Sequence, residues 1–184
     1  MRLWNNVYFV RFRSGMRYYI LNSIINHIPS WTVRKIFYRL FGVKMGYGCR
    51  IGLYTIIDYP RGIILGDRSI VNEMCFLDGR GGLEIGSDVS ISMYTKIITA
   101  SHDLKSNSFA YYESSVVIEN NVWIGVGAII LDGSTIHQMA IIGAGCIFKG
   151  NAVEQGVYIG NPPILKKIRS ANVLYQLDYR PWCR

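Results

Sequence analysis

The first quarter of the chain has no acidic residue. Residues 1–44 carry eight Arg or Lys and no Asp or Glu, while residues 45–184 carry twelve of each sign, so the whole formal excess of +8 sits in that quarter. Long apolar runs are also missing. Nowhere do about eighteen apolar residues follow one another, as a membrane span requires. No short apolar stretch followed by a small-residue cleavage site marks a leader either, so a cytoplasmic protein is expected. Cysteine is scarce and scattered: Cys49, Cys75, Cys146 and Cys183 show no CxxC spacing, which argues against a zinc site and against a disulfide framework. Histidine is scarcer still, with only His27, His102 and His137. Converging metal ligands are not expected from so few, nor is a nucleic-acid partner.

What the chain does have is a repeat. Ile118, Ile124, Ile130, Ile136, Ile142 and Phe148 stand six positions apart, a period that fits neither an α-helix nor an alternating strand. The same step recurs upstream in three shorter registers: Met45, Ile51, Ile57; Leu65, Val71, Leu77; and Ile85, Ile91, Ile97. Many ladder residues precede Gly, as in Ile51-Gly52, Ile124-Gly125 and Ile142-Gly143, which suits a sharp turn of the chain. About seventeen such hexapeptides fit between Met45 and Val153, and stacked repeats of this kind bury one continuous column of aliphatic side chains. The expected fold is an all-β solenoid, a parallel β-helix. A β-sandwich would instead show period two within each strand.

The basic first quarter lacks the repeat and reads as a helical appendage over residues 1–44, ahead of a β-helix domain at 45–169 and a tail at 170–184. From Met16 to Ile28, the residues Ile20, Leu21, Ile24, Ile25 and Ile28 share one helical face, with Asn22, Ser23, Asn26 and His27 on the other. Ser30 is placed to cap a second helix that Gly42 stops, with Val33, Ile36, Phe37, Leu40 and Phe41 on its apolar side and Arg34, Lys35 and Arg39 elsewhere. Cys49, Cys75 and Cys146 fall within the coils, where Cys serves as a small buried apolar residue.

One long break interrupts the ladder, TASHDLKSNSFAYYESSVV between Ile97 and Ile118. Excursions from a regular scaffold are where function tends to be placed, and His102 stands at the start of this one. An unperturbed imidazole titrates near about 6.5, which makes it a usable base near neutrality. His27 lies in the appendage and His137 directly follows a ladder residue, so both read as structural or surface groups.

TASHDL, NNVWIG at residues 120–125, IIGAG at residues 141–145 and GNPPILKKI at residues 160–168 together resemble the hexapeptide-repeat acetyltransferases, particularly the branch that O-acetylates sugars. The resemblance covers about residues 45–169 and implies a left-handed coil, a homotrimer and acetyl-CoA as co-substrate. It implies that His102 is the general base and that Asn72 contacts the acceptor and helps stabilise an oxyanion. Asp78 and Trp123 would bind the acceptor. Coenzyme A would lie along Gly125, Val126 and Ala144, with Lys149, Lys166, Lys167 and Arg169 as candidates for its phosphates. Members of the family usually carry Thr-Lys where this chain has Lys149-Gly150, and Arg where it has Ile164. The basic aromatic N-terminal helices resemble those of envelope-glycan acetyltransferases and would suit a lipid-linked acceptor at the inner membrane face, in capsule, exopolysaccharide or lipopolysaccharide synthesis. N-acetylation of an amino sugar, or a non-catalytic β-helix scaffold, are the alternatives.

Overall fold

The computed structural model describes residues 7–169 and 175–178, and over them the repeat winds into a parallel β-helix. Cys183, and the ends of the expected appendage and tail, lie outside the described residues. Short strands form three sheets of six, seven and five members. Face A stacks Lys44–Met45, Ile63–Leu65, Leu83–Ile85, Val116–Ile118, Thr135–Ile136 and Asn151–Ala152. Face B stacks Arg50–Ile51, Ile70–Val71, Ser90–Ile91, Trp123–Ile124, Ile141–Ile142 and Gly156–Ile159, and Ile164–Ile168 folds back antiparallel on the last of these. Face C stacks Ile56–Asp58, Phe76–Asp78, Lys96–Ile97, Ile129–Ile130 and Ile147–Phe148. The chain runs A to B to C in each coil, and its hydrogen bonds join each coil to those above and below.

Every ladder residue from Ile51 to Phe148 is at most 3% exposed, whereas Met45 in the first coil is half-buried. Two positions before each of them a second, often smaller side chain is buried as well. Cys49, Cys75 and Cys146 are three of these, all free thiols, and burial pushes the Cys75 thiol up to about 12. Where that position holds Thr or Ser, the hydroxyl donates to a backbone carbonyl: Thr55 to Asn72, Ser69 to Gly86, Ser134 to Leu131. The column therefore admits these hydroxyls with their hydrogen-bonding capacity met.

The helical segment seals the open end of the coil. Helix α1 (Val7–Tyr19) continues through a π-helical turn at Ile20–Ile24 and a 3-10 turn at Ile25–His27; helix α2 (Trp31–Phe41) follows. Leu21, Ile25 and Tyr38 belong to the same apolar cluster as the ladder, as a capping element of a solenoid must. Two expectations are corrected here. The wide π turn rotates the first helix, so Asn22 and Asn26 face inward and Ile24 faces out. Asn22 donates to the Ile57 carbonyl and accepts from its N–H. In α2 the buried residues are Arg34 and Tyr38, while Ile36 and Leu40 are 54% and 74% exposed. Arg34 takes this place because its guanidinium donates to the carbonyls of Ile28, Pro29 and Ile51, tying helix to coil. Ser30 occupies the N-cap position without a side-chain cap, and Gly42, at φ 109°, ends the helix as expected.

The long interruption is a β-hairpin. It leaves after face C, pairs Ala100–His102 antiparallel with Tyr111–Glu113, and re-enters at face A. Its root is held by Asp78, whose expected contact with an acceptor is not the one its side chain makes. Asp78 is fully buried. Its carboxylate accepts from the Thr99 N–H, the Arg80 N–H and the Arg80 guanidinium. Thr99 Oγ1 in turn donates to the Asp78 carbonyl and accepts from Gly81 N–H, and Ser114 N–H closes the hairpin base on the Thr99 carbonyl. Burial alone would push the Asp78 carboxyl up, but these hydrogen bonds from Arg80 and Thr99 hold it below its usual range.

A carboxyl whose pKa is depressed by folding adds stability that is complete above its unfolded value of about 3.9 and is lost as pH falls through the folded value. The melting temperature of the protein should therefore exceed that of Asp78→Asn most clearly at neutral pH. Thermal scans should show the gap narrowing below about pH 4; a gap independent of pH would contradict this role.

Candidate active site

The β-helix sorts the candidate residues onto two edges. His102 and Lys149 follow face C strands and Asp78 ends one, so all three lie toward the turn from C to A. Asn72, Gly125, Val126 and Ala144 follow face B strands and lie at the turn from B to C, with Trp123 just before it on face B. Within one chain the two groups do not converge.

On the first edge, the hairpin fixes the imidazole of His102. The ring stacks on Phe109, with centroids 4.1 Å apart and planes 7° from parallel, and meets Tyr111 edge-on at 5.7 Å. Its Nδ1 lies 2.9 Å from the Phe109 carbonyl oxygen. A carbonyl only accepts, so this contact places the proton on Nδ1 and leaves the Nε2 lone pair free to accept a proton. Asp103 is not its partner; the carboxylate accepts from Lys105 N–H within the loop. His102, Leu104, Phe109, Tyr112 and Lys149 line an open cleft of about 450 Å³. Lys149 reaches this cleft with its charge answered: Nζ lies 3.0 and 2.9 Å from the two oxygens of buried Asp132. That hydrogen bond raises the Lys149 pKa. In the single chain, this lysine stands away from the glycine-lined edge on which coenzyme A was expected.

On the second edge, successive coils stack Asn72, Ser92, Gly125 and Gly143 at the same corner, each N–H donating to the coil above. Gly125 is required by this stacking, since a Cβ there would strike the Ala144 backbone. The Asn72 side chain donates one amide hydrogen to the Ile91 carbonyl, 2.8 Å away. Its second amide hydrogen has no partner among the described residues. Trp123 is 47% exposed and donates from Nε1 to Ser92 Oγ. Val126 and Ala144 are exposed beside it. Lys166 and Lys167 are exposed on the returning strand, whereas Arg169 donates to the Met139 carbonyl and secures that strand's end. His137 lies 3.1 Å from Glu119, away from both edges, where the chain turns from face A to face B.

Four residues of this arrangement escaped the sequence reading: Phe109, Arg80, Thr99 and Asp132. Thr99 and Asp132 act through contacts between coils, Phe109 through the folding of the hairpin, and Arg80 through the carboxylate two residues before it. The only sequence sign was their place at the break in the repeat or in a turn.

No protein-family model matches the chain. A candidate acetyltransferase of Schizosaccharomyces pombe is 32% identical over 114 residues, 59% of this chain and 55% of the relative. A galactoside O-acetyltransferase of Lactococcus lactis is 34% identical over 87 residues, 45% of this chain and 42% of the relative. The chain thus matches about half the length of these curated relatives. Among solved structures, a maltose O-acetyltransferase from Clostridium difficile superposes with a TM-score of 0.77 at 26% identity, covering 91% of each chain. A hexapeptide-repeat acetyltransferase from Vibrio cholerae, complexed with acetyl coenzyme A, gives 0.76 at 22% identity over 90% of each chain, a likeness of fold. The chain shares the left-handed β-helix fold of these hexapeptide-repeat acetyltransferases and is similar in sequence to the curated acetyltransferases over about half its length.

Proposed function

We propose that the protein is an acetyl-CoA-dependent O-acetyltransferase acting on a sugar hydroxyl. The observation that carries this reading is the fixed tautomer of His102, a lone Nε2 base held on a rigid hairpin at a cleft. In such a transfer, Nε2 takes the acceptor's hydroxyl proton while its oxygen attacks the thioester carbonyl. The C–O bond forms, the C–S bond breaks, and the coenzyme A thiolate leaves and takes up the proton. The free N–H of Asn72 suits the oxyanion of the tetrahedral intermediate. Gly125, Val126 and Ala144 offer backbone along which coenzyme A can lie, and Trp123, Lys166 and Lys167 stand near that edge. Asn72 and His102 meet only if the B–C edge of one chain faces the C–A edge of another, which a homotrimer provides. O-transfer is preferred over N-transfer on the strength of the galactoside and maltose O-acetyltransferase relatives.

A polysaccharide acceptor at the inner face of a membrane, as in capsule, exopolysaccharide or lipopolysaccharide synthesis, fits the appendage. Ile24, Ile36 and Leu40 are exposed there, in a segment with eight Arg or Lys and no acidic residue. Basic residues at an anionic surface contribute about 1 kcal/mol each, so co-sedimentation with anionic vesicles should fall with rising salt and with Ile36→Ser plus Leu40→Ser. Binding unaffected by either would contradict membrane contact.

His102→Ala should lower turnover with acetyl-CoA and a sugar acceptor by about 10²–10⁴-fold, the usual contribution of a general base, with coenzyme A affinity unchanged. His137→Ala should keep its turnover. A panel of sugars with thiol release as the readout measures both; normal rates in His102→Ala would favour the scaffold reading.

A further inference from the structure

A cavity lies between the helical cap and the first coil, on the same C–A edge as His102. Arg17 and Tyr18 of α1, Phe41 of α2, and Asp58, Tyr59 and Arg61 at the first C–A turn line it. Its volume is about 120 Å³, well below the roughly 300–1,000 Å³ of pockets that enclose whole ligands. It is sized for one group of a larger molecule. Its charge selects that group. Neither Arg17 nor Arg61 has an ion pair among the described residues, while the one carboxylate present, Asp58, faces Arg80 at 3.5 Å. Two unanswered guanidiniums beside two phenol rings and an apolar wall suit a phosphate or diphosphate with its attached chain.

Position relates this cavity to the transfer site. Asp58 pairs in register with Asp78, and the coil above carries Ile97 against Leu77 and then the hairpin. The cavity therefore sits two coils, or about 10 Å at one strand spacing per coil, below the root of the His102 hairpin. A span of that order is bridged by a diphosphate and its attached sugar, with the distal phosphate in the cavity and a ring hydroxyl directed at the hairpin. We propose that this cavity is a subsite for the phosphate or diphosphate of the acceptor, so that the enzyme acts on a glycosyl phosphate rather than on a free sugar. The acceptor half of the proposal rests on the acetyltransferase reading; the anion site does not.

Two arms test it. Calorimetric titration with pyrophosphate should show binding that weakens about tenfold in Arg17→Gln and in Arg61→Gln, and is unchanged in Lys44→Gln, an exposed cation of the same basic segment outside the cavity. In the second arm, a soluble glycosyl diphosphate should have a KM about tenfold below that of its free sugar. That advantage should vanish in both arginine variants, with kcat on the free sugar retained. Pyrophosphate binding that ignores both arginines, or responds equally to Lys44→Gln, overturns the site. A diphosphate advantage that survives the substitutions overturns it too, and arginine-dependent binding to anionic vesicles without binding to soluble diphosphate overturns the acceptor assignment in favour of a lipid headgroup. Because the first arm needs no turnover, it decides the anion site even if no sugar is acetylated.

Discussion

Everything in this molecule depends on an inward ladder residue that returns at every sixth position along the coil. The aliphatic column is continuous from Ile51 to Phe148, and each coil must return to the same three corners to keep it filled. A solenoid of this kind tolerates an insertion only where the chain can leave and re-enter at a corner without disturbing the stack. The hairpin at residues 100–113 meets that demand because Ser114 closes on Thr99 across its base, and because Asp78 from the coil below grips Thr99 and Arg80 together. The rigidity of the column is thereby passed to the hairpin, and the hairpin passes it to His102 through the Phe109 ring and carbonyl.

The same column explains why the candidate residues are divided between edges. A coil turning through three faces sends successive corners in different directions, so Asn72 and His102, one coil apart, point away from one another. On the proposed reading, a base on one edge and an oxyanion donor with a glycine-lined groove on another would make a site only between two copies. Burial of Asp78 and the pairing of Lys149 with Asp132 each remove a side chain from the list of free ligand contacts. They also make the edges stiff enough to hold a ligand.

The ladder was legible in the sequence because period six has no other physical source, and the hairpin was legible as the place where the period stops. His102 followed from standing at that break. The faces of the helical cap were not legible. Its α2 pattern puts Ile36 and Leu40 on an apolar stripe with Phe37 and Phe41, yet only the two aromatics pack on the core while Ile36 and Leu40 face out, because Arg34 turns inward to backbone carbonyls of Ile28, Pro29 and Ile51 that no helical wheel contains. Asp78 misled for a related reason. A carboxylate near a sugar-like motif and a carboxylate clamping an arginine two residues on look alike until the chain is folded. The cavity beside Arg17 and Arg61 joins segments about forty residues apart and left no local sign.

The central claim is that His102 and Asn72 serve one site from two neighbouring chains. His102→Ala and Asn72→Ala chains, co-expressed with different tags and purified through both, would form mixed trimers. A cyclic trimer containing both variants has one site in three with both residues intact, so activity should return to about a third of the unsubstituted level, while each variant alone remains at its own low rate. No recovery in the doubly tagged trimers, or full activity in a stable monomer, would contradict the account.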